Sequence, residues 1–96
     1  MRASLSRSQI DEALRKLKGW SYEGDALKAT YTFKDFRAAF SFMQKVARVA
    51  DELNHHPTWS NVYNKVNFAL YTHDAGNKVS DMDVKMASRI CDLIPA

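Results

Sequence analysis

The chain has 96 residues, 46% of them hydrophobic and 26% charged, with a formal net charge of +3. That balance excludes a disordered chain, and no run of about 18 apolar residues offers a membrane span. Lys and Arg are interspersed with Asp11, Glu12, Asp51, Glu52, Asp81 and Asp83 rather than gathered in a block, which argues against direct nucleic-acid binding.

Residues 1–96 read as one domain, because no internal repeat, low-complexity tract or linker interrupts them. The segment from Met1 to Arg7 lacks the apolar core of a secretory signal. A lone Cys91 cannot form an internal disulfide. Both observations point to a reducing compartment, cytosol or cytosol plus nucleus.

Ser6-Arg7-Ser8-Gln9 has the form of a capping box, and Ile10, Ala13, Leu14 and Leu17 follow at helical spacing until Gly19. This predicts a first helix over residues 7–18. Gly24-Asp25 then separates Trp20–Glu23 from the alternating run Leu27, Ala29, Tyr31, Phe33, the pattern of a β-hairpin. Asp35 is placed to cap a second helix. Its apolar stripe runs Phe36, Ala39, Phe40, Met43, Val46, Ala47, Ala50, Leu53. Ala38, Phe42 and Val49 lie outside that stripe; this surplus of apolar surface predicts self-association, the alternative being that Phe42 and Val49 simply flank a wide core face. Pro57 requires the helix to stop near Asn54–His56.

Trp59–Tyr63 reads as a strand, Asn64-Lys65 as a turn, and Val66, Phe68, Leu70, Thr72 as the inward face of a further strand. On that pattern His73 points to the opposite face. After the turn Asp74–Asn77, Ser80-Asp81-Met82-Asp83 forms a second capping box before a closing helix with Val84, Ala87, Ile90, Cys91 and Ile94 on its apolar side. The order α-β-β-α-β-β-α predicts an α+β fold: a four-stranded antiparallel sheet with three helices on one face.

All three histidines fall in two short pieces, Asn54-His55-His56-Pro57-Thr58-Trp59 and Thr72-His73-Asp74. Histidine changes charge nearest neutral pH, so such a cluster suits proton transfer. Asp51 precedes His55 by four residues and Glu52 precedes His56 by four, so on a continuing helix each carboxylate can orient an imidazole. A polar helix stop explains His55-His56-Pro57 equally well on spacing alone. A metal site is disfavoured, because adjacent histidines diverge by about 100° on a helix and no paired-cysteine or His-Glu-x-x-His pattern accompanies them. Cys91 lies at a core position of the last helix and reads as packing. Trp59 is either core or an aromatic wall for a flat ring, and Asp83 is first a helix cap.

With these residues the sequence resembles the pterin-4a-carbinolamine dehydratase family, some of whose members also serve as a dimerisation cofactor of a homeodomain transcription factor. The matching residues are His55-His56-Pro57-x-Trp59-x-Asn61-Val62-Tyr63-Asn64-Lys65-Val66, then Leu70-x-Thr72-His73-Asp74 and Asp83-x-x-x-Ala87. Gly19-Trp20, Phe33-x-Asp35-Phe36 and Ala39-Phe40-x-Phe42-Met43 extend the likeness over nearly the whole chain.

The resemblance implies a four-stranded sheet with three helices on one side. It implies dimers or tetramers that use the long central helix, and dehydration of 4a-hydroxytetrahydropterin to quinonoid dihydropterin without metal or other cofactor. It implies that His55, His56 and His73 are the catalytic groups. His55 and His73 then act at the departing hydroxyl, and His56 holds the ring and assists at N5. Asp51 is implied to orient His55, Trp59 to line the pocket, and Thr72 to bind through its backbone or hydroxyl. A pure binding module that bridges a partner's helices is the alternative.

The sequence departs from the family at Asn54, where an aspartate is common, and at Tyr71, where a small residue is common. It also departs in Gly76–Ser80, one residue longer than usual, which leaves capping as the expected role of Asp83.

Overall fold

Ser6 starts the first helix: its hydroxyl accepts from the Gln9 N–H at 3.2 Å while the Gln9 side chain accepts from the Ser6 N–H at 2.8 Å. The structure is a computed structural model that describes residues 2–94, so Met1, Pro95 and Ala96 of the predicted 1–96 unit lie outside the described residues. The helix α1 (Arg7–Leu14) is shorter than the span predicted over 7–18. Beyond Leu14 the backbone bonds tighten, Lys16 N–H donating to Ala13 and Leu17 N–H to Leu14, both at 3.1 Å. Leu17 is nevertheless buried, and Gly19, at φ 88°, turns the chain into the sheet.

Gly24-Asp25 joins β1 (Ser21–Glu23) to β2 (Ala26–Thr32), the predicted hairpin. The Asp35 carboxylate accepts from the Ala38 N–H at 2.8 Å and opens α2 (Phe36–Leu53). Then β3 (Thr58–Val62) and β4 (Lys65–Leu70) meet at Tyr63-Asn64, one residue before the predicted turn. Asn61 explains the shift. Its amide donates to the Tyr63 carbonyl at 3.1 Å and the Lys65 carbonyl at 2.9 Å, holding Tyr63 in the left-handed region at φ 51°.

A 3-10 turn (His73–Ala75) leads to α3 (Asp81–Asp92). The sheet order is β1-β2-β4-β3 with every pairing antiparallel, so the predicted α+β architecture and element order hold. None of the described helices is long and apolar enough to cross a membrane.

Strand alternation sets the layers. Leu27 and Ala29 of β2 and Val66, Phe68 and Leu70 of β4 are buried, and they join Ile10, Val46, Met86 and Ile90 from the three helices in one core cluster. Thr30 and Asn67 face the opposite way, joined by a 2.7 Å hydrogen bond on the uncovered side of the sheet. At one edge of the core the Trp20 indole N–H donates to the Tyr31 hydroxyl at 2.9 Å, with Cys91 Sγ 3.8 Å from the same oxygen.

The buried arc of α2 differs from the predicted stripe. Ala39, Phe42, Val46, Val49 and Ala50 are buried, whereas Phe36 and Phe40 are each 48% exposed. Phe42, expected as surplus, packs 4.9 Å from Phe33 and 5.4 Å from Tyr31, ring centre to ring centre. The three-four spacing fits two overlapping arcs on so apolar a helix, and contact with the aromatic sheet residues selects the one through Phe42. The outward apolar surface is therefore Phe36 stacked on Phe40 at 5.8 Å.

Candidate active site

The approach of His55 to its partner begins with how α2 ends. Asn54 takes the left-handed conformation at φ 51°, ψ 42°. Its N–H donates to Asp51 at 3.2 Å and the His55 N–H to Ala50 at 3.0 Å, the two bonds of a Schellman motif. Asparagine is among the few non-glycine residues that tolerate this geometry. The helix thus stops at Asn54, three residues before Pro57, and His55 no longer lies one turn above Asp51.

That reversal re-pairs the carboxylates. His55 Nε2 lies 2.6 Å from Asp83 Oδ1, 28 residues away in sequence, whereas Asp51 Oδ1 meets His56 Nε2 at 3.2 Å. The expected Asp51–His55 pairing is thereby corrected: it assumed a continuous helix, and the αL residue breaks the spacing. Glu52, expected near His56, pairs with Arg89 at 2.7 Å instead. The two histidine pairs sit in opposite environments. Asp83 is fully buried and the His55 side chain is 13% exposed, while the His56 and Asp51 side chains are 63% and 83% exposed.

Asp83 has two functions at once. As the third residue of α3 it completes the predicted capping box, its Oδ2 accepting the Ser80 N–H at 2.9 Å. The same Oδ2 accepts the Thr72 hydroxyl at 2.7 Å, and the Ser80 hydroxyl lies 2.6 Å from Thr72 Oγ1. Among the described residues every buried side-chain N or O atom has a hydrogen-bond partner. The 76–80 connection leaves Asp83 within reach of His55. Sequence reasoning identified the Ser80–Asp83 cap but missed the histidine partner and the Ser80–Thr72 contact; the Asp83-x-x-x-Ala87 match was the available signal.

Strand alternation continues to Thr72, with Leu70 and Thr72 buried and Tyr71 exposed, but β4 itself ends at Leu70. His73 therefore opens the 3-10 turn rather than standing on a strand face. Backbone pairing of Thr72 with Lys78 forces the departure: Thr72 N–H donates to Lys78 at 2.9 Å and Asn77 N–H to Thr72 at 3.1 Å. His73 is exposed, with Nδ1 3.2 Å from Asn77 Oδ1. Trp59 is half-buried against Phe68, ring centres 5.9 Å apart.

The structure brings His55, Thr72, Ser80 and Asp83 together, with His56 and His73 each one residue along the chain. A cleft of about 600 Å³ beside Arg2, Ser4, Gln9, Asp74 and Asp81 holds none of the three histidines. Among the described residues no three His, Cys, Asp or Glu side chains gather as metal ligands. An imidazole with one nitrogen tied to a buried carboxylate, and with no hydrogen-bond partner on the other among the described residues, is equipped to give and take a proton.

Comparison with known proteins places nearly the whole chain in one family. The family model for pterin 4 alpha carbinolamine dehydratase matches residues 3–93. A protein of Opitutus terrae provisionally named a pterin-4-alpha-carbinolamine dehydratase is 52% identical over 85 residues, covering 88% of each chain. A protein of Sulfurisphaera tokodaii with the same provisional name is 44% identical over 90 residues, 94% of this chain and 96% of that one. The crystal structure of a transcriptional coactivator/pterin dehydratase from Brucella melitensis superposes with a TM-score of 0.91 at 40% identity, covering 96% of this chain and 99% of the other. The chain belongs to the pterin 4 alpha carbinolamine dehydratase family.

Proposed function

We propose that this chain removes water from 4a-hydroxytetrahydropterin to give quinonoid dihydropterin, with His55, His56 and His73 as the acid–base groups and no metal or other cofactor. The observation that carries the reading is the 2.6 Å contact between His55 Nε2 and the buried Asp83 carboxylate. A proton passes to the 4a-hydroxyl, the C4a–O bond breaks as the N5 electron pair forms the C4a=N5 bond, and the N5 proton leaves to a base. Water and the dihydropterin are the only products. His55 and His73 act at the hydroxyl, while His56 holds the ring and assists at N5. Asp51 orients His56, and Trp59 borders the ring. Such dehydration would return the pterin cofactor of aromatic amino-acid hydroxylases to use. The chain works as one domain in a reducing compartment, cytosol or cytosol plus nucleus.

The test generates the carbinolamine with a phenylalanine hydroxylase and follows its decay. The protein accelerates decay, and His55→Ala and His73→Ala each lower the catalysed rate roughly 100- to 10,000-fold. No acceleration by the unmodified protein would sink the enzyme reading, and equal acceleration by the variants would sink the site.

A second reading is supported by the exposed Phe36–Phe40 stack on α2. That surface suits self-association into dimers or tetramers and, in turn, docking of a transcription-factor helix pair. The coactivator half of the Brucella protein's description is consistent with it. A protein without dehydratase activity that still forms stable complexes through Phe36 and Phe40 would favour this role alone.

A further inference from the structure

Asp83 offers two oxygens to three donors, and the arrangement fixes which atom of His55 can exchange a proton. Oδ2 accepts the Ser80 N–H at 2.9 Å and the Thr72 hydroxyl at 2.7 Å, while Oδ1 faces His55 Nε2 at 2.6 Å. Thr72 has a single hydroxyl proton and directs it to Asp83, so across the 2.6 Å contact between the two hydroxyls Ser80 is the donor. The Ser80 oxygen in turn accepts the Met82 N–H at 3.2 Å. The bonds therefore run one way, from Ser80 to Thr72 to Asp83, with His55 donating from the other side. An imidazole is intrinsically more basic than a carboxylate. Oδ2 already accepts from two donors, so Asp83 takes the acceptor's part on that side and turns Oδ1 to the ring. The proton between Oδ1 and Nε2 thus belongs to the ring.

We propose that Thr72 and Ser80 are positioning residues: they hold Asp83 in the one rotation that keeps His55 as its Nε2–H tautomer, leaving Nδ1 as the only atom of His55 that gives and takes a proton. A carboxylate that fixes an imidazole's tautomer without itself moving a proton is established chemistry in hydrolase triads. Here the carboxylate is itself fixed by two hydroxyl-bearing side chains and a helix cap. The expectation that Thr72 binds substrate through its hydroxyl gives way to an inward role, since that hydroxyl's proton is committed to Asp83. The consequence for rate rests on the dehydratase reading, but the tautomer does not.

Asp83→Asn makes the inference sharp. Two donors converge on the Oδ2 position, so the amide oxygen must occupy it and the amide NH₂ must face His55. Nε2 then has to be bare, and the ring switches to the Nδ1–H tautomer. Nitrogen-15 NMR of the histidine rings reads this directly. At a pH where the ring is neutral, His55 in the unmodified protein is protonated at Nε2 and bare at Nδ1, and Asp83→Asn exchanges the two. The isosteric Thr72→Val keeps the fold, which an unchanged melting curve checks. It speeds solvent exchange of the Nε2 proton about tenfold and lowers kcat by a similar factor, with KM changed less than twofold, and Thr72→Ser restores most of both losses. A bare Nε2 in the unmodified protein overturns the proposal. So does an Nε2–H signal in folded Asp83→Asn, or an unaffected Nε2 proton in Thr72→Val. If the NMR pattern appears and the protein does not dehydrate the carbinolamine, the tautomer assignment stands and the proposed reaction falls.

Discussion

Among the described residues Tyr31 has a markedly raised pKa. Burial, and then the neighbouring Cys91, push its phenol up to about 12. The folded chain therefore holds this proton through a range where an unfolded tyrosine, near 10, releases it. The linked contribution to stability is fully present below pH 10 and is lost as pH rises through about 12. Urea midpoints measured across that window should fall more steeply for the unmodified protein than for Tyr31→Phe, and parallel curves would refute the assignment. The same scale explains what the sequence disclosed and what it hid. His55, His56 and His73 were legible as candidates through the family motif around them, since on spacing alone a polar helix stop explained the adjacent pair equally well. Asp83 was legible only as a cap, because a capping box is a four-residue pattern whereas its contact with His55 spans 28 residues.

At the level of elements, the end of α2 matters most. Asn54 in the left-handed conformation both closes the helix and turns His55 toward Asp83. Asn54→Gly should leave stability near that of the parent, since glycine adopts this conformation without strain. Asn54→Val should cost about 1–2 kcal/mol and weaken the His55–Asp83 contact. Urea denaturation gives the first quantity and the His55 ring signals the second; equal stabilities for Val and Gly variants would remove the argument. This residue also accounts for the mis-assigned carboxylate. An i, i+4 rule holds only while the helix continues; Pro57 correctly placed the end near Asn54–His56, but not at Asn54 itself, which takes His55 off the helical spacing. The existence, order and starts of the helices were legible from caps. The buried arc of α2 was not, because a helix with apolar residues around most of its circumference fits more than one arc, and only contact with Tyr31 and Phe33 decides.

For the whole molecule, the order β1-β2-β4-β3 places β4 between its partners and lets its far end run directly into the turn that carries Thr72 and His73. Among the described residues the helices lie on one side of the sheet, and α2 shows Phe36 and Phe40 outward from that layer. Stacked phenylalanines on an open helix face favour burial against another chain. Light scattering at micromolar concentration should give the mass of a dimer or tetramer, and Phe36→Ser with Phe40→Ser should shift it toward monomer. A monomeric parent protein would dismiss the association. The sequence pointed to the right helix for this surface and the wrong side of it, for the same reason that its core arc was ambiguous.

One carboxylate, Asp83, caps the first turn of α3 and anchors His55. Fraying of that single turn on warming would strip the histidine of its partner while the sheet is still intact. The protein should therefore lose its proposed chemistry at a lower temperature than its strands melt, with the gap set by how firmly Ser80 and Thr72 grip one side chain.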